Sequence, residues 1–150
     1  MSYQEKNITV SLVSHLLILV YYVANIYQML QAGGLVSAQL FSLSAIVIIA
    51  AIIINITASI LTNIVLAIVY AIKTKSDKTE RFIEDERDKL IGLKGMRVAY
   101  IIFSVGVLLA MLTFVFGQQP LVMFSLIIFS GIVAEILGDI SKIYLYRRGF

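Results

Sequence analysis

The chain has 150 residues, of which 60% are hydrophobic and only 14% charged, with a mean hydropathy of +0.96. A soluble domain is about 45–50% apolar and spreads its charges over its surface; here the charges cluster, which points to a bilayer. No cysteine is present, which excludes disulfides, thiol redox relays and thiolate metal sites.

In chain order, "MSYQEKNITV" makes a poor signal peptide, with one lysine and no small-residue cleavage site. The apolar stretch behind it is expected to be a retained membrane helix. Four stretches are long enough to span, over about residues 8–30, 40–72, 98–116 and 121–144. In lipid the backbone must satisfy its own hydrogen bonds, and the segments lack the alternation of barrel strands, so each is expected to be a helix. "QAGG" at 31–34 and "GQQP" at 117–120 read as turns, with Pro120 suited to a helix start. "LVSAQLFSLSAIV" (35–47) can be laid over "LVMFSLIIFSGIV" (121–133), as two hairpins in tandem would give.

The second stretch is too long for one crossing. Its 33 residues would make a helix of about 50 Å against a hydrocarbon core of about 30 Å. It must tilt, kink or run beyond the bilayer, and "NITAS" at 55–59 is a plausible weak point, because such side chains divert helix hydrogen bonds.

Every Lys and Arg lies before residue 8, between 73 and 97, or from 142 onward, and both turns carry none. The positive-inside rule then predicts a multi-pass protein of the cell inner membrane with both termini cytoplasmic. The same placement accounts for the net charge of +3, so no direct nucleic-acid partner is implied.

The 73–97 connector has helical spacing from Thr79 onward. Arg81, Asp85 and Lys89 form an i, i+4 ladder of alternating sign, and Phe82, Ile83, Leu90, Ile91 and Leu93 give a broken apolar side. This predicts a short amphipathic cytoplasmic helix running into the third span, with a bend offered by Gly92 and Gly95. Glu80, Glu84 and Asp88 share a face and offer oxygen ligands to a divalent cation, but interleaved basic residues favour a salt-bridged, solvated helix with no metal.

Depth along each span singles out the polar residues. With about 1.5 Å per residue, Glu135 lies about 9 Å from the inner edge of the core and Asp139 at that edge, within i+3 reach of Lys142. His15, Asn63 and Ser104 fall about 10–13 Å from the same edge on the other three spans. Ser11, His15, Tyr22 and Asn25 lie near one face of the first span, and Asn55, Ser59, Thr62 and Asn63 near one face of the second. Asn and Ser at such positions commonly only hydrogen-bond between helices. An ionisable group at the depth of Glu135 costs several kcal/mol unless paired or neutral, and marks a functional site by default. Glu135 with His15 therefore predicts a proton or ligand site, with Asn63 and Ser104 as neighbours, unless the glutamate snorkels to the interface.

Ser130, Ala134 and Gly138 make a smooth face that can pack within the bundle or join two copies. Tyr21, Tyr22, Tyr27, Phe114, Phe116 and Phe124 enrich the outer half in aromatics, as interfacial anchors or as a lipophilic pocket. HExxH, GxSxG and phosphate-loop motifs are all missing, so no enzyme activity and no cofactor is expected.

At "EDERDKLIGLKGMRVAYIIFSVGVLLA" the chain resembles a family of small bacterial and archaeal membrane proteins of unknown function. They carry an Asp-Glu-Arg element, here Asp85, Glu86 and Arg87, before a two-span hairpin. The likeness covers roughly residues 80–146. Members are sometimes encoded beside small helix-turn-helix regulators, so the resemblance implies a sensing or regulatory module. Small multidrug exporters also have four spans, but usually carry a glutamate in the first, where this chain has His15.

The expected fold is an all-α integral membrane four-helix bundle forming a single domain, homo-oligomeric in the lipid bilayer. The leading expectation for function is a binding or regulatory module that meets a cytoplasmic regulatory protein through Arg81, Asp85, Glu86, Arg87 and Lys89. The alternative is a small proton- or cation-coupled transporter or channel built on Glu135 and His15.

Overall fold

The computed structural model describes residues 3–74 and 86–148. Among these it is all-helical, with α1 (Tyr3–Gln31), α2 (Ser37–Thr74), α3 (Glu86–Val115) and α4 (Pro120–Arg147). All four helices are long and apolar enough to cross a membrane, as the hydropathy of the chain dictates.

The punctuation of the chain falls where glycine and proline place it. Gly33 and Gly34 take positive φ angles of 117° and 121° between α1 and α2, and Gly117 takes 82° between α3 and α4. Those left-handed conformations are cheap only without a Cβ. Gln119 is the extended N-cap of α4 and Pro120 opens the helix, its fixed φ already helical and its missing N–H no loss there.

α2 runs unbroken for 38 residues, so it has no break at 55–59 and extends to about 57 Å. The side chains of Asn55, Ser59, Thr62 and Asn63 lie outside the described residues. The amphipathic segment expected before the third span is described only from Glu86, and from there it is one helix with that span, unbroken through Gly92 and Gly95.

α4 is the central helix. It packs along α3 on one side and α1 on the other, while α2 lies mainly on α1. The buried apolar cluster joins Ile18 and Tyr22 of α1, Leu43 and Val47 of α2, and Ile132 and Ile136 of α4. The α3–α4 contact is built differently, from small residues in antiparallel register. A Cβ on Gly106 would run into Ser130, and one on Gly138 would sit 3.1 Å from the Ala99 Cβ and 3.2 Å from the Gly95 carbonyl oxygen. Ser130, Ala134 and Gly138 are buried, so this small-residue face is used inside the bundle, where close backbone approach replaces hydrophobic burial as the source of contact.

The aromatics divide. Tyr22 turns inward and donates its hydroxyl to the Ser125 carbonyl oxygen at 2.9 Å, and Phe124 packs at a tilt on Phe41 with ring centres 4.8 Å apart. Tyr21, Tyr27, Phe114 and Phe116 face outward.

Candidate functional site

Ser11 and His15 stand one turn apart on α1, so their side chains share a face, and that face meets α4. Asp139 of α4 lies against it, only 2% exposed. The Ser11 hydroxyl donates to Asp139 Oδ2 at 2.8 Å, and His15 Nδ1 lies 3.1 Å from the same oxygen. Lys142 Nζ donates to the other oxygen, Oδ1, at 2.9 Å. The carboxylate thus has donors on both oxygens, which is the condition under which an apolar interior tolerates a charge. With a carboxylate as partner, His15 presents Nδ1 as its proton-bearing nitrogen.

Lys142 reaches Asp139 by a route that the third helix permits. Its aliphatic stem lies across Gly95 of α3, where any Cβ would collide with it, and only its ammonium end bends back to the carboxylate. The same end of the bundle is tied by Tyr146, whose hydroxyl donates to Asp88 Oδ1 at 2.7 Å and whose ring lies 5.9 Å from the Arg87 guanidinium. Arg147 and Glu5 join α4 to α1 there at 4.0 Å.

One turn from Asp139 toward the Tyr22 end, Glu135 faces a cavity of about 340 Å³ to which all four helices contribute. Among the described residues its walls are apolar, Ile18, Val47, Ala51, Phe103, Gly131 and Ile132 among them, and its ionisable side chains are His15 and Glu135. The Glu135 carboxylate is exposed and takes no hydrogen bond or ion pair from the described residues. His15 therefore belongs to two places at once, edging the cavity and bonded to Asp139. One turn beyond the cavity-lining Ile18 on α1, Tyr22 is buried and held to α4 at the Ser125 carbonyl.

The sequence-derived residues sort as follows. Glu135 and His15 share the cavity, but the imidazole's bond is to Asp139. Ser104 is half-buried on α3 and does not line the cavity, whereas its neighbour Phe103 does. Asn63 sits in α2 with its side chain outside the described residues. Glu86, Arg87 and Lys89 are exposed at the start of the described part of α3, while Arg81 and Asp85 lie outside the described residues, as do Glu80 and Glu84. Asp88 is engaged by Tyr146. Asn25, on the polar face of α1, is half-buried and bonds back to its own helix at the Tyr21 carbonyl.

Sequence reasoning missed Asp139 as the hub. It read that residue as an inexpensive edge carboxylate paired with Lys142; the pair is present, yet the aspartate is buried under α1. The signal available was the depth of Ser11, about 4.5 Å from the inner edge against about 3 Å for Asp139.

No family model, curated protein or solved structure matches the chain.

Proposed function

We propose that this is a small proton- or cation-linked membrane carrier whose working site is the Glu135 cavity, with His15 and Asp139 as the proton-exchanging groups beside it. One observation carries the reading. A carboxylate without a partner among the described residues stands on an otherwise apolar wall, and the imidazole sharing that wall is bonded onward to a buried aspartate. Ionisable groups within a membrane span are costly and occur where ions or protons move. A histidine between two carboxylates can pass a proton from one to the other through modest rotation. The basic end of the bundle is cytoplasmic in this reading, because Lys6, Arg87, Lys89, Lys94, Arg97, Lys142, Arg147 and Arg148 all sit there and the turns at the other end are uncharged. Tyr22 and Ser125 then form the outer closure, and passage requires that contact to open. The test is proton and cation flux in proteoliposomes, lost on Glu135→Gln.

A second reading is favoured by the exposed Glu86, Arg87 and Lys89. In it the cytoplasmic start of α3 meets a regulatory protein, as the resemblance over residues 80–146 implies. Lys142 on Gly95 gives that surface a mechanical route to Asp139. Charge reversal at Glu86 and Lys89 that leaves every cellular contact of the protein unchanged would remove this reading. Self-association fits both readings, since α3 leaves Met96, Tyr100 and Leu108 on its outer face for lipid or a second copy.

A further inference from the structure

We infer that the cavity takes a hydrophobic monovalent organic cation: a permanently charged or protonated nitrogen or phosphorus centre carrying aromatic or branched aliphatic groups. The inference rests on the carrier reading of the same site and names its ligand class.

Three features select this chemistry. First, charge: Glu135 presents a carboxylate that no described cationic side chain neutralises, whereas Asp139, one turn away, is already held by Lys142 and His15. A ligand that brings one positive charge completes the first without competing for the second. Second, the walls: among the described residues, beyond Glu135 and His15 they are aliphatic apart from Phe103 and Gly131, so a strongly hydrated metal cation would lose its water shell with few oxygens there to replace it. An organic cation has a diffuse charge and its own apolar surface, and gains from burial on those walls. Third, Phe103: its ring packs beside Gly131, its Cε2 3.7 Å from where a Cβ on that glycine would stand, and both line the cavity that Glu135 lines. An aromatic ring and a carboxylate lining one cavity are a favourable setting for a cationic centre without N–H donors. The volume of about 340 Å³ is at the small end of the range for drug-sized ligands.

The experiment is equilibrium binding of tetraphenylphosphonium to the purified full chain in detergent, with protein-free micelles as blank and tetraphenylborate, the same shape with opposite charge, as a second probe. Wild type is expected to bind the cation saturably and to leave the anion at the micelle blank. Glu135→Gln should weaken the cation by about tenfold or more, and Glu135→Asp, which keeps the charge, should retain part of the affinity. Ala51→Phe, which fills the cavity from α2 and leaves the carboxylate in place, should also abolish binding, so the conclusion does not hang on one variant's folding. Binding of both probes alike, no saturable binding by folded wild type, or full affinity in Glu135→Gln overturns the inference. The carrier reading fails separately: binding that depends on Glu135 with no flux of any cation removes transport and leaves the ligand class. Flux that depends on Glu135 without tetraphenylphosphonium binding removes the ligand class and leaves transport.

Discussion

His15 of α1 and Asp139 of α4, 124 positions apart in the chain, meet at 3.1 Å between Nδ1 and Oδ2, and that contact joins the two halves of the protein at a buried charge. With Ser11 and Lys142, His15 supplies the buried carboxylate with donors on both of its oxygens. The cavity begins one helical turn further toward Tyr22, at Glu135, which has no partner among the described residues.

Asp139→Ala is expected to destabilise the folded bundle by about 3 kcal/mol, because it leaves the Lys142 ammonium and the His15 ring facing an apolar gap. Lys142→Ala should cost much less, since the lysine side chain is 25% exposed and its charge reaches the interface. Unfolding by steric trapping in bicelles measures both. Equal costs for the two variants would mean that the aspartate is not the centre of the cluster.

Gly95→Ala places a methyl group against the Lys142 stem and within 3.1 Å of the Gly138 carbonyl oxygen. A loss of about 1–3 kcal/mol is expected, as for other overpacked contacts. Combining it with Lys142→Ala should recover part of that loss. A double-mutant cycle reads the coupling directly, and additive costs would show that the stem does not lie on the glycine.

Tyr22→Phe removes one hydroxyl bond to the Ser125 carbonyl and leaves the buried ring in place. Its stability cost should be near 0.6 kcal/mol, the usual worth of one such bond between membrane helices. Because the contact closes the outer end in the carrier reading, the substitution should raise flux while barely moving the unfolding midpoint. Unchanged flux would place the outer closure elsewhere.

The helices, the turns and Pro120 were legible in the sequence because they follow from hydropathy, span length and the special backbone of glycine and proline. The Asp139–Lys142 pair was legible for a similar reason, being a local i, i+3 relation. Which carboxylate His15 would meet was not. Glu135 and Asp139 are four residues apart, so they differ by about 40° around the helix and one turn in height. The choice between them depends on the rotation of α4, which is set by its small-residue contact with α3, through Gly95, Ala99 and Gly106. That rotation turns Asp139 under α1 and leaves Glu135 on the cavity, a result of tertiary packing that hydropathy along one segment does not contain.

The natural chain has no cysteine, so single cysteines report topology without background. A membrane-impermeant maleimide added to intact cells should label Gln118→Cys, in the turn after α3, and should label Lys89→Cys only after the membrane is opened. The reverse pattern would invert the bundle and move the Asp139 cluster to the outer face.

Proton and cation flux into proteoliposomes, compared between wild type and Glu135→Gln, tests the central claim most directly. The carrier account expects flux with wild type that falls to the level of empty liposomes in the variant, with both proteins equally reconstituted and folded. Wild-type vesicles no leakier than empty ones, or a variant as active as wild type, would contradict it.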